Sequence, residues 1–258
     1  PDIAPLLKDW SASRTPRIEQ DLAPPVKHWA QSRLLKLHRR HDFMPAISNI
    51  QANQGVHMSN RLEGKIAAIT GAASGFGAAA TLRFIEEGGK VVLGDIQDDA
   101  GQALADSLGD AARFCHCDVT EEDHVAKLVD MAVSEFGRLD IMYNNAGIVG
   151  AAGPIHTTPA EEWKFTLDIL LNGVFYGIKH AARVMIPQQS GSIVNMTSTA
   201  GIMGGLGPHA YAAAKHAVIG ITKNTATELA HHGIRVNAIA PTGMATAMVA
   251  GLSGDPSD

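Results

Sequence analysis

The stretch Thr70-Gly71-Ala72-Ala73-Ser74-Gly75-Phe76-Gly77 decides the fold. An apolar run, Lys65-Ile66-Ala67-Ala68-Ile69, leads into it, and an Ala-rich segment from Ala78 to Glu87 follows. A strand, a glycine-rich turn and a helix in that order form a loop able to cradle phosphate. Gly71 permits a tight turn, Gly75 lets the backbone approach a phosphate, and Gly77 lets the helix pack close to the sheet. The helix N-terminus then offers free N–H groups and its positive dipole end to a pyrophosphate. Ser74 and Phe76 are counted with the three glycines as contacts of that group.

From residue 64 onward, strands and helices alternate. Strands are expected near 65–70, 90–95, 112–117, 139–144, 191–197 and 234–239. Helices are expected near 75–88, 98–108, 121–137, 159–187 and 209–232. Apolar strands alternating with helices imply an α/β protein with a doubly wound parallel sheet covered on both faces. No internal repeat or low-complexity tract occurs.

The chain has 258 residues, 45% of them hydrophobic, enough for one α/β domain with a full core. Its net charge of −5 gives no support for a nucleic-acid or membrane-surface partner. No apolar run approaches the ~20 residues of a membrane span. The two cysteines, Cys115 and Cys117, fall in one short strand and are read as core residues rather than metal ligands, so no metal is expected. Nothing calls for an oxidising compartment, and a cytoplasmic location is expected.

Residues 1–57 read differently. They hold six of the 12 prolines, one of the 26 glycines, and 8 Lys/Arg against 5 Asp/Glu, so they carry +3 and the rest −8. Trp29 to Arg40 can form one basic amphipathic helix, but acids at Asp2, Asp9, Glu19 and Asp21 speak against a transit peptide. A disordered extension to a domain spanning 58–258 is the expectation.

The chemistry-bearing residues lie far downstream. Tyr211 and Lys215 are four apart, and positions i and i+4 share a helix face. Lys215 can thus hold an ammonium near the Tyr211 phenol, and a cation within about 4–6 Å favours a phenolate able to act as general base near neutral pH. Ser198 follows the strand-like run Ser192 to Thr197 and can bond the same oxygen that Tyr211 protonates.

These elements together resemble the short-chain dehydrogenase/reductase family in its three-layer Rossmann form. The resemblance covers roughly residues 61 to 250. It rests on the glycine-rich loop, Asp95, Asp118-Val119, Asn144-Asn145-Ala146-Gly147, Ser198 with Tyr211 and Lys215, and Ile234-Arg235-Val236-Asn237-Ala238-Ile239-Ala240-Pro241. It implies hydride transfer between a nicotinamide cofactor and a secondary alcohol or ketone. Tyr211 would be the acid/base, Lys215 would favour the phenolate and bind the nicotinamide ribose, and Ser198 would fix the substrate oxygen. Asp118 would accept from the adenine amino group, with Val119 packed on the ring; the stretch Asp118 to Glu121 also precedes a helix whose start Thr120 with Asp123 can cap. Asn145, Ala146 and Gly147 would touch the cofactor and Asn144 would brace the loop. Pro241, Met244 and Thr246 complete the cofactor contacts. Asp95 can accept from the adenosine ribose and would repel a 2′-phosphate, and no Lys or Arg lies in the loop or at 96–99, so NAD is expected over NADP.

Two departures from the family pattern stand out. A relay Asn aligns with Leu170 rather than Asn172, which should face nearly the opposite way. Water or a backbone carbonyl is then left to link Lys215 to solvent. Pro241-Thr242-Gly243 stands where Pro-Gly is common. The family also has a substrate loop and a last strand beyond Pro241, so a domain lacking its last strand is expected, with lowered stability.

The loops at 148–155 and 200–207 are apolar and lack Lys and Arg, which suits an uncharged, apolar alcohol or ketone. His156 and His209 are read as loop and helix-start residues. Alternatives are a 3-oxoacyl reductase, a sugar dehydrogenase, or a catalytically inert nucleotide-binding fragment. By family analogy the helices at 159–187 and 209–232 would form a homodimer or homotetramer.

Overall fold

The computed structural model describes residues 60–242. The extension at 1–57, its expected helix, Met244 and Thr246 lie outside the described residues. Six strands run β1 (Ile66–Thr70), β2 (Lys90–Asp95), β3 (Ala112–His116), β4 (Ile141–Asn144), β5 (Gly191–Met196) and β6 (Ile234–Ile239). The helices are α1 (Gly75–Glu86), α2 (Asp98–Leu108), α3 (Glu122–Phe136), α4 (Ala160–Leu167), α5 (Gly173–Gln188) and α6 (His209–Leu229). The strands are all parallel in the order β3-β2-β1-β4-β5-β6. The chain thus winds outward from β1 to β3, then returns to place β4 on the other side of β1. A crevice opens at the carboxyl ends of the strands where that reversal occurs.

Successive residues of a strand point to opposite faces, and β1 uses both for core. Ile66 and Ala68 join the cluster formed with Val125, Leu128 and Val129 of α3 and Val174 and Ile178 of α5. Ala67 and Ile69 join the opposite cluster, against which Phe84 of α1 and Leu104 of α2 pack. This double burial is why the strands read as apolar runs rather than as alternating ones.

Each expected strand and helix is present within a few residues, with one division. The helix expected at 159–187 is broken by a π turn at Asp168–Asn172. Asn172 Nδ2 donates to Asp168 Oδ1 at 2.7 Å across the widened turn. Gly173 packs onto Val119, where a Cβ would come within 2.8 Å of the valine Cβ. Within the turn Leu170 is fully buried.

Gly77 is buried at the start of α1, where a side chain would overlap the Gly71 carbonyl and approach Ala72 Cα at 2.8 Å. Gly77→Ala is therefore expected to destabilise the protein by about 3 kcal/mol, as overpacking against backbone that has no rotamer to yield. Urea unfolding of the variant checks this; a midpoint like that of the parent would contradict it.

Candidate active site

A cavity of about 480 Å³ lies in the crevice. One end of its wall is the glycine-rich loop. Gly71 and Gly75 adopt positive φ of 65° and 52°, which only glycine holds without strain. A Cβ on Gly71 would meet Ala146 Cα at 2.8 Å, whereas one on Gly75 would meet nothing within 4 Å. The backbone at Gly75 is thus bare toward the crevice. Ser74 is the N-cap residue of α1 and makes no side-chain capping bond, so the first N–H groups of the helix are not claimed by it. A pyrophosphate fits this cradle: bare backbone, unclaimed donors and a helix dipole.

Asp95 closes one end. Its carboxylate is buried and accepts from the backbone N–H of Ala73 at 2.9 Å and of Gln97 at 3.0 Å. It therefore holds the glycine-rich loop to the end of β2 as well as facing the cavity. Beside it, Asp118 Oδ1 accepts from the Thr120 backbone at 2.9 Å and hydroxyl at 2.8 Å. The expected cap at Asp118–Asp123 does not form. Thr120 is consumed by this turn, and α3 starts from Glu121 without a side-chain cap. Val119 and Cys117 are buried in the same wall, and burial pushes the Cys117 thiol up to about 12, which leaves it inert.

Asn145, just after β4, takes the bracing expected of Asn144, the last residue of that strand. Asn145 Nδ2 donates to the carbonyls of Thr70 and Gly71, each at 3.0 Å, and the backbone N–H groups of Asn145 and Ala146 donate to Thr70 Oγ1. Asn145 braces the loop through its amide nitrogen and also lines the cavity, where a cofactor contact was expected of it. Asn144 instead points into the sheet and donates to Asn195 Oδ1 at 2.8 Å. Strand alternation puts neighbours on opposite faces, and only the fold decides which face holds the loop.

The other end of the cavity holds Ser198, Tyr211 and Lys215. Ser198 follows β5 and its hydroxyl accepts from the Ala200 N–H at 3.2 Å. Tyr211 and Lys215 lie on one face of α6, with the lysine nitrogen 5.5 Å from the centre of the tyrosine ring. Lys215 is 3% exposed, and its ammonium donates to the Met196 carbonyl at 2.8 Å. Burial pulls this ammonium down to about 8, the neutral form being easier to keep out of water. Leu170 is fully buried in the cavity wall, while the Asn172 amide turns away to Asp168.

Of the other residues expected here, Gly71, Ser74, Gly75, Phe76, Ala146, Gly147 and Pro241 also line the cavity. Gly77 does not; it is beneath the loop, and its part is packing. From the two apolar loops only Ile148, Val149, Leu206 and Gly207 reach the wall, while Ile155, Ile202 and Met203 stand outward. His156 and His209 are exposed and off the cavity. Ile96, Gln97, Cys117 and Thr242 line it without a local signal in the sequence. Among the described residues, no cluster of His, Cys, Asp and Glu is placed to hold a metal ion, and no helix is long and apolar enough to cross a membrane.

A parallel sheet wound in both directions from β1, with a phosphate-type cradle at its reversal point, defines a Rossmann nucleotide-binding protein. Residues 65–256 match the short chain dehydrogenase family, and the chain belongs to it. It is 48% identical over 204 residues to (+)-borneol dehydrogenase 2 of Salvia officinalis, across 78% of this chain and 71% of that protein. Among solved structures it is similar to levodione reductase, with a TM-score of 0.73 and 36% identity over 76% of this chain and 79% of that one. It is similar too to NAD+-bound xylitol dehydrogenase, with a TM-score of 0.68 and 38% identity over 70% and 71% of the two chains. As a family member it is an oxidoreductase of alcohol and ketone groups that uses a nicotinamide dinucleotide.

The state of Lys215 gives a stability test. Between about pH 8 and 10.5 the folded lysine is neutral while the unfolded one still binds its proton, so the folded state gains as pH rises. Lys215→Met lacks this gain. Chemical denaturation from pH 7 to 10 is expected to show wild type climbing relative to the variant by up to about 3 kcal/mol; a constant difference would contradict the buried ammonium.

Proposed function

We propose that this chain transfers a hydride between NAD and an uncharged, apolar secondary alcohol or its ketone. The observation that carries the reading is the meeting of Ser198, Tyr211 and Lys215 in the cavity that the glycine-rich loop and Asp95 also line. NAD, when bound, supplies the hydride acceptor. Tyr211 takes the hydroxyl proton of the alcohol, or returns it to the ketone oxygen. Ser198 hydrogen-bonds that oxygen and fixes its distance from the phenol. Lys215 supplies the positive charge that favours a phenolate, and its two N–H groups not given to Met196 suit the hydroxyls of a ribose. Val149, Ile169 and Leu170 give the same cavity an apolar lining.

NAD rather than NADP follows from Asp95. A 2′-phosphate beside a buried carboxylate meets like charge, and Ile96 and Gln97 bring no cation to offset it. The likeness to an NAD+-bound dehydrogenase supports the same choice. The cofactor contacts of this reading are those already described, with Met244 and Thr246 as further contacts outside the described residues.

The apolar substrate follows from the lining. Lys215 is the one Lys or Arg on the cavity wall among the described residues, and it is engaged. The similarity to a borneol dehydrogenase supports an apolar cyclic alcohol. The likeness to xylitol dehydrogenase favours a second reading, a polyol substrate, which the apolar wall does not suit. The reading carries with it a cytoplasmic enzyme, consistent with two free thiols, and assembly as a homodimer or homotetramer by family analogy.

Tyr211→Phe separates this enzyme from a protein that binds nucleotide alone. Turnover is expected to fall by at least about a thousandfold while the dissociation constant for NAD, read by calorimetry, stays within a few-fold. Retained turnover would remove Tyr211 from the chemistry. The wild type is expected to prefer NAD over NADP by about 100-fold in kcat/KM, and Ile96→Arg to narrow that gap; equal use of the two would overturn the Asp95 argument.

A further inference from the structure

Toward its end the loop between β5 and α6 returns to the site at Leu206, Gly207 and Pro208. A Cβ there would stand 3.1 Å from Cδ1 and 3.7 Å from Cε1 of Tyr211, and 3.5 Å from the Ala200 Cβ. The backbone at Gly207 thus comes close to the Cδ1–Cε1 side of the phenol ring, and a side chain there would press on it. Its neighbour Leu206 lines the cavity beside Tyr211 and Ser198 yet is 53% exposed. A large apolar side chain half in water at the mouth of an apolar cavity has unused area to give to a ligand. On the downstream side Pro208 fixes the chain as it enters α6, and its carbonyl accepts from the Ala212 N–H at 2.8 Å. On the upstream side Gly205 has a φ of 78°, and neither it nor Gly204 has anything within 4 Å of a Cβ position. Leu206 therefore sits between two glycines with open space about them and a proline at the helix start.

We propose that Leu206 sets the upper size of the substrate and that Gly207 is the positioning residue that brings it, and the loop, onto the Tyr211 ring. The proposal rests on the alcohol oxidation assigned above. Leu206, Ile148 and Val149 line the same cavity as Tyr211, so their bulk limits the ring system that can place its carbinol carbon near the phenol. Gly207 acts through the tyrosine: any side chain there must push either the loop outward or the ring inward by a few tenths of an ångström. Neither residue belongs to the glycine-rich loop or to the Asp95 and Asp118 wall, where the pyrophosphate and adenosine are assigned, so the cofactor's main anchors are left in place.

The test compares kcat/KM for cyclohexanol and for the fused bicyclic decalol with NAD, in wild type, Leu206→Ala, Leu206→Phe and Gly207→Ala. Leu206→Ala is expected to raise the decalol-to-cyclohexanol ratio about tenfold and Leu206→Phe to lower it by a similar factor. Gly207→Ala is expected to reduce kcat by about tenfold or more with both alcohols, more than it raises KM, because the acid/base is displaced. In all three variants the calorimetric dissociation constant for NAD and the melting temperature should match wild type, which rules out loss of fold as the cause. A ratio unmoved by both Leu206 variants overturns the size limit, and an unchanged kcat in Gly207→Ala overturns the positioning role, while turnover itself leaves the oxidation reading standing. Absence of turnover in wild type with either alcohol overturns the oxidation reading and this proposal with it.

Discussion

The Lys215 ammonium is kept almost wholly from water, and the carbonyl of Met196 is the acceptor that makes this possible. An unpaired charge at that depth would cost several kcal/mol and would empty the site of its cation. The residue is held at its backbone too, for the Thr197 hydroxyl donates to the Lys215 carbonyl at 2.8 Å. Gly201 permits this closeness, since a Cβ there would stand 2.6 Å from that same carbonyl oxygen. One lysine thus fastens α6 to the end of β5 through both its side chain and its main chain. Tyr211, one turn earlier on α6, inherits its place from that fastening. So does Ser198, two residues beyond Met196.

A second clasp fixes the other half of the site. Thr70 ends β1, and its hydroxyl accepts from the backbone of both Asn145 and Ala146. Asn145 returns two bonds to the carbonyls of the glycine-rich turn. The ends of β1 and β4, adjacent only because strand order reverses there, become one rigid rim. Asp95 extends the rim to β2 by accepting from Ala73. The groups that would meet a cofactor are therefore fixed by the same bonds that close the carboxyl edge of the sheet. A site built on strand ends in this way needs little rearrangement to receive its ligand.

Much of this was legible in the sequence because its causes are local. Strand and helix periods depend on neighbouring residues, and so do the i, i+4 relation of Tyr211 to Lys215 and the glycine-rich turn between β1 and α1. What was misread depends on contacts made by the fold. Asn145 rather than Asn144 braces the glycine-rich loop because of the face each is given. Thr120 can cap a helix or close a turn with Asp118, and the turn prevails. The π turn at Asp168–Asn172 is followed at once by Gly173, which packs on Val119 far away in the chain. Cys117, Ile96 and Gln97 reach the cavity because β2 and β3 end side by side. Gly207 carries no signal beyond being one more glycine until the tyrosine ring is seen against it.

The account turns on hydride transfer, and the label on that hydride tests it most directly. A cyclic apolar secondary alcohol bearing deuterium on its carbinol carbon would be incubated with the protein and NAD, and the nicotinamide product read by mass spectrometry. The account predicts reduced cofactor carrying one deuterium, with the alcohol converted to its ketone. Reduced cofactor without the label, or no reduced cofactor when NAD is demonstrably bound, would contradict it.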